Sequence, residues 1–223
     1  MAEAASRSGG ALDAARLPPG RHGLPRTYVA ENQRERLLNG VVEAVAEHGY
    51  EATTIGRIVE AARISRRTFY EYFAGKEECF LAAYEMVDAH VRDAMLTAPG
   101  AAKPWPDRIR SRLAALLDAL SRDPAVARFY LVEPLAAGGA VAARYRDAMQ
   151  LLAETLRPEP EPTGHDIEVR DQALIGGVAT LIVRRLNAGA GDRLPELLPD
   201  LVELVLAPYL GREEAQRLAR TAA

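Results

Sequence analysis

Residues 53–76 read TTIGRIVEAARISRRTFYEYFAGK, and the rest of the chain is best understood from this stretch outward. Ile55, Ile58 and Val59 recur at helical spacing, and Ala61 and Ala62 close a short helix. Arg63 and Ile64 interrupt the pattern. Ser65 then suits the start of a second helix, because its hydroxyl accepts backbone N–H groups left free there. That helix opens with Arg66, Arg67 and Thr68 and continues through Phe69, Tyr70, Tyr72 and Phe73. Two short helices joined by a tight turn, the second led by cationic and hydroxyl side chains, form the plan of a helix-turn-helix reader. Arginine forks onto guanine O6 and N7, threonine meets a base edge or a thymine methyl, and tyrosine hydroxyls reach phosphate oxygens.

The run T-T-I-x-x-I-V-x-A-A-x-I-S-x-x-T-F-Y-x-Y-F-x-x-K-E, residues 53–77, resembles the DNA-binding domain of the TetR family of bacterial transcriptional regulators. The resemblance implies an all-α protein: an N-terminal three-helix DNA-binding domain, then a larger helical regulatory and dimerisation domain. It further implies a homodimer that loosens from a palindromic operator when a small molecule binds. The expected DNA-contacting set is Thr54, Ser65, Arg66, Arg67, Thr68, Tyr70, Tyr72 and Lys76. Two residues depart from the family pattern. Arg63 stands where the family has glycine in the turn, a place where positive φ costs least. Glu71 brings a carboxylate that phosphate would repel, so it is expected to point away or to accept from a cytosine amine.

Bulk properties narrow the class. The 223 residues suffice for one sizeable domain or two small ones, and the net charge is −3. Residues 21–76 hold nine Lys/Arg against seven Asp/Glu, whereas residues 77–223 hold seventeen against twenty-two. A mildly basic module on an acidic body suits a selective binder of DNA. No run approaches membrane-spanning length, and no export-signal core is evident, so a cytoplasmic protein is expected. Cys79, the single cysteine, excludes an intrachain disulfide and a cysteine-based zinc site.

The expected division is a tail over 1–26, a DNA-binding domain over 27–75, and a ligand-binding and dimerisation domain over 76–223. Arg7, Arg16, Arg21 and Arg26 make the tail either a DNA-reaching arm or a solvated leader. A helix over 29–48 carries Leu37, Leu38, Val41, Val42 and Val45, and Gly49 ends it. Thr54 suits the cap of the next helix. Gly75 precedes a helix near 76–97, whose Lys76 opposes the helix dipole while Glu77 and Glu78 suit it. A phosphate partner would explain that cation. Further helices are expected near 106–121, 125–136, 140–157, 166–188, 194–210 and 212–221, broken by proline and glycine, including the run 158–164.

Enzyme signals are weak. His22, His48, His90 and His165 are scattered, and neither a phosphate loop nor a serine nucleophile motif occurs, so no cofactor or metal is expected. Cys79, near a helix start, reads better as a buried structural residue than as a nucleophile. The family resemblance implies an effector pocket among the middle helices. Trp105, Phe129, Tyr130, Tyr145 and Met149 are candidate lining residues, with His90 and Glu133 as polar anchors, and the effector would be apolar or aromatic. Ala173, Gly176, Gly177 and Thr180 form a run of small residues that would let another helix approach, and Leu197, Leu201 and Leu204 form a second stripe. Together they are the expected dimer face. The competing class is a small all-α enzyme or ligand carrier whose first helices merely resemble a DNA reader.

Overall fold

The computed structural model describes residues 26–159 and 167–220, and every structural statement below concerns these. The arginines at 7, 16 and 21, the histidines at 22 and 165, and most of the proline-rich run lie outside them. Eleven α-helices follow one another, and no strand occurs among the described residues. They are α1 (Arg26–Ala52), α2 (Ile55–Ala62), α3 (Arg66–Tyr72), α4 (Lys76–Leu96), α5 (Trp105–Arg122) and α6 (Pro124–Leu131). The others are α7 (Glu133–Ala137), α8 (Gly139–Thr155), α9 (Ile167–Asn187), α10 (Leu198–Leu210) and α11 (Arg212–Arg220), with a 3-10 segment at Gly191–Leu197.

Helix α1 buries Leu37, Leu38, Val41, Ala44 and Val45, and it leaves helical geometry at Gly49 (φ 76°, ψ 159°). Positive φ there suits glycine, as expected of a helix terminator. Gly40 marks a close approach between α1 and α2. A Cβ at this position would stand 2.8 Å from both the Cβ and the backbone nitrogen of Ala62, and 2.9 Å from the Ile58 carbonyl oxygen. Glycine therefore sets how tightly the two helices cross.

Two expected helices divide. The span 125–136 breaks at Val132, because Pro134 has no N–H to donate to a carbonyl one turn back. The span 194–210 begins as the 3-10 segment, with Pro195 inside it, and becomes α-helical only from Leu198. Elsewhere the expected boundaries differ from the observed ones by a few residues at most.

The interior of the C-terminal body is aromatic where α4 meets α6. Phe80 packs against Phe129 (centroids 4.5 Å apart), and Tyr84 stacks on Tyr130 at 5.2 Å. Beside them lies a buried carboxylate. Asp88, wholly inaccessible, accepts from the Tyr130 hydroxyl (2.9 Å) and from Arg144 Nη2 (3.3 Å). Arg92 Nε lies 3.1 Å from the same carboxylate without a hydrogen bond of good geometry, so that contact is Coulombic. The Tyr84 hydroxyl is buried and makes no hydrogen bond. Burial holds both phenols protonated well above the ordinary tyrosine range. Arg157 and Asp171, 2.6 Å apart, tie the end of α8 to the start of α9.

Candidate nucleic-acid interface

Helices α2 and α3 are built by their caps. The Thr54 hydroxyl accepts from the Arg57 amide (3.3 Å), and Ser65 Oγ accepts from the Thr68 amide (3.0 Å), as expected for both. Between them, Arg63 adopts the left-handed conformation (φ 54°, ψ 46°), the one non-glycine residue among those described with positive φ. The conformation costs a side-chain-bearing residue roughly 1–2 kcal/mol. It makes the turn possible: the Arg63 amide bonds to the Glu60 carbonyl (3.1 Å) and the Ile64 amide to the Val59 carbonyl (2.9 Å). This double closure is the glycine-type helix ending, here carried by an arginine.

Helix α3 sits on the fold through Phe69, which is fully buried, and Phe73 follows it into the core. The opposite side is open. Ser65, Arg66, Arg67 and Tyr70 are exposed and Thr68 is half-buried, so five of the eight expected contact residues lie together at the start and outer side of α3. Thr54, also exposed, joins them: the Arg66 guanidinium folds back over Gly56, where a Cβ would stand 2.9 Å from Arg66 Nη2 and 3.5 Å from Thr54 Oγ1. Arg67 Nε lies 3.4 Å from Glu71, which reveals a role for the unusual carboxylate that its i, i+4 spacing already signalled. Both partners are largely exposed, so the pair is weak and opens at little cost when a base or phosphate competes.

Two expected contacts are engaged elsewhere. The Tyr72 hydroxyl donates to Gln33 Oε1 on α1 (3.1 Å). Lys76 Nζ donates to the Tyr50 carbonyl (2.8 Å) and lies 4.1 Å from the centre of the Tyr50 ring. The cation that opposes its helix dipole is thus compensated inside the protein. Sequence reasoning missed this junction. The Tyr50 amide donates to Glu133 Oε2 (2.8 Å), and its ring meets Phe80 edge-on at 5.0 Å. Tyr50 is therefore held by α4 and α7 together.

The candidate effector residues separate. Tyr145 and Met149 line a cleft of about 460 Å³ between α8 and α9, opposite Ile175, Gly176 and Ala179, with Arg146, Asp147, Gln150, Glu168 and Gln172 around it. Phe129 and Tyr130 belong instead to the closed core, because neighbouring rings fill the space around them. Trp105 donates its indole N–H to the Leu156 carbonyl (3.3 Å) and meets Tyr209. Glu133 is spent on Tyr50, and His90 is exposed on α4.

The proposed dimer face also divides. Ala173, Gly176 and Thr180 are exposed along α9. Gly177 faces its own chain, where a Cβ would stand 3.1 Å from Leu204, and Leu204 is half-buried against it. Leu197 and Leu201 are buried in the core of this chain and present no outward stripe. Cys79 is buried too, and desolvation pushes its thiol up to about 12, so it stays protonated and inert near neutral pH. Among the described residues no group of three or more His, Cys, Asp or Glu is placed to hold a metal ion, and no helix is long and apolar enough to cross a membrane.

An all-α chain that presents a capped helix-turn-helix with a cationic reading helix defines a helix-turn-helix protein. The family model for bacterial regulatory proteins, tetR family, matches residues 37–83, from the middle of α1 to the first turns of α4. This N-terminal part of the chain thus matches the TetR family. It is 43% identical over 51 residues to the HTH-type transcriptional repressor AcnR of Corynebacterium efficiens, a match covering 23% of this chain and 27% of that protein. It is 34% identical over 71 residues to the HTH-type transcriptional regulator TcmR of Streptomyces glaucescens, covering 32% and 31%. The chain thus spans less than a third of the length of either relative. Solved structures extend the likeness of fold. A TetR-like transcriptional regulator from Rhodococcus sp. RHA1 aligns with a TM-score of 0.61 at 21% identity, over 84% of this chain and 99% of that one. FadR from Bacillus subtilis, solved in complex with stearoyl-CoA, aligns with a TM-score of 0.62 at 17% identity, over 77% and 97%.

Proposed function

We propose that this chain is a sequence-specific DNA-binding transcriptional regulator, a homodimeric repressor that a small molecule releases from a palindromic operator. Residues 27–75 would be the DNA-binding domain, residues 76–223 the ligand-binding and dimerisation domain, and the cytoplasm its place of action. One observation carries the reading: Arg66, Arg67, Thr68 and Tyr70 stand together on the outward side of a helix whose other side is locked into the core by Phe69. Selection from a pool of random duplexes tests it. A regulator enriches a two-fold symmetric site, and an enzyme or carrier enriches none.

Arg67 is the foremost candidate for base reading, since its side chain is 91% exposed and only Glu71 restrains it. Arg67→Ala is expected to cost about 1–3 kcal/mol and to relax preference at one base pair. Titrations on the selected site and its single-base variants check this; a uniform loss on every duplex would make Arg67 a phosphate contact instead.

The cleft between α8 and α9 is the proposed effector site, its size within the range of small-molecule pockets and its wall of Tyr145, Met149, Ile175 and Ala179 suited to an apolar or aromatic ligand. Effector binding lowers DNA affinity only through preference for a body conformation in which the two reading helices no longer match grooves about 34–36 Å apart. Tyr145→Ala is expected to blunt release by compounds found in a screen while leaving ligand-free DNA binding near wild type. Loss of both together would point to damaged packing.

The dimer face is proposed on the exposed side of α9. A bulky residue at Gly177 would strike Leu204 of its own chain, so Ala173, which is exposed, is the better probe. Ala173→Arg is expected to shift sedimentation from dimer toward monomer, with operator affinity falling in parallel. An unchanged folded dimer would place the interface elsewhere.

A further inference from the structure

We propose that Arg36 is a positioning residue for the reading helix, holding closed a turn that an arginine makes in a glycine-type conformation. The proposal rests on the DNA-reading function above. Four carbonyls at the end of any α-helix lack partners within it. At the end of α2, the amides of Arg63 and Ile64 return to Glu60 and Val59 and satisfy two of them. Ala61 and Ala62 carry the other two; Ala62 is the last residue of the helix, and beyond its carbonyl comes that of Arg63 itself. Arg36 Nη2, reaching across from α1, donates to the carbonyls of Ala62 and Arg63, at 2.7 Å and 2.8 Å. Bonds from a charged donor are roughly twice as strong as neutral ones. They are placed on either side of the Arg63 Cα, the atom whose φ of 54° a side chain disfavours.

The geometry gives Arg36 a task that glycine at 63 would make unnecessary. Ile64 and Ser65 follow the strained residue directly, and Ser65 is the cap of α3, so rotation about Arg63 swings the whole reading helix. Gly40, one turn along α1 from Arg36, brings the end of α2 close enough for the guanidinium to span the gap. Arg36 therefore acts on DNA through the turn.

A double-mutant comparison separates this from direct contact with phosphate. Wild type, R36A, R63G and R36A/R63G are titrated against the selected duplex and its single-base variants, at a temperature where all four keep full helicity. In the native turn, R36A is expected to lower affinity about tenfold and to flatten base preference, whereas in the R63G background it should cost about twofold or less. Amide exchange at Ile64 should quicken in R36A and return toward wild type in the double variant. An equal loss in both backgrounds would overturn the proposal, because a phosphate contact does not depend on what occupies the turn. Where R36A does not fold, R36K takes its place: lysine retains the charge and reaches a single carbonyl, and a loss relieved by R63G supports positioning, while an unrelieved loss refutes it. If the wild-type chain enriches no sequence, the DNA-reading function falls, and this proposal with it.

Discussion

Replacing Asp88 with alanine is expected to lower the melting temperature by about 6–12 °C, a loss of roughly 3 kcal/mol for a chain of this size. The carboxylate is inaccessible to water and gathers Tyr130, Arg144 and Arg92 from three helices. Its removal leaves a buried phenol without an acceptor and the Arg92 guanidinium without its counter-charge, while Arg144 keeps only the more exposed Glu85. The full penalty for breaking a buried pair runs to about 3–5 kcal/mol. The lower end applies here, because Arg92 and Arg144 retain 32% and 24% of their side-chain exposure and can turn toward solvent. Asp88→Asn keeps an acceptor for Tyr130 and should fall between. Thermal unfolding of the three proteins decides the order, and an alanine variant as stable as wild type would mean that the cluster contributes nothing net.

The second large effect is expected at Gly40. Gly40→Val places a branched side chain where even a lone Cβ would be 2.8–2.9 Å from the backbone of Ala62 and Ile58. Backbone in a packed helix pair cannot swing aside as a side-chain tip does, so α2 must move away from α1. Overpacking of this kind costs about 1–3 kcal/mol, sometimes more, and the gain from replacing a helical glycine, about 1 kcal/mol at most, does not offset it. Because α2 carries the turn into α3, DNA binding should fall with stability. Exchange of the α2 amides and titration against the selected duplex measure the two losses. A valine variant of wild-type stability and affinity would show that α1 and α2 do not need their close crossing.

The fold was legible because its signals are local. Apolar spacing, two hydroxyl caps and glycine after Val45 and His48 gave the first helices, and helical periodicity with proline and glycine breaks gave the rest. The reading helix was legible for the same reason: Ser65 as cap and Phe69 as the inward residue fix which side faces out. What the sequence hid depends on contacts distant along the chain. Tyr72 and Lys76 look like free polar groups until Gln33 and the Tyr50 carbonyl are brought beside them, 39 and 26 residues away. Glu133 meets Tyr50 across 83 residues. Periodicity cannot say which of two apolar stripes turns inward, so Leu197 and Leu201 looked like an interface and proved to be core. The same ambiguity put Phe129 and Tyr130 among the pocket residues, whereas Tyr145 and Met149, on a helix with one side open, do line a cleft.

Methylation protection of guanine N7 on the selected duplex reports base reading by α3, because N7 is exposed in the major groove and arginine is its usual partner. Protected guanines are expected in two symmetric clusters, about one helical turn or a multiple of it apart, with protection at one guanine in each cluster lost in Arg67→Ala. Binding without N7 protection, or protection without symmetry, would contradict a paired reading of the major groove by α3.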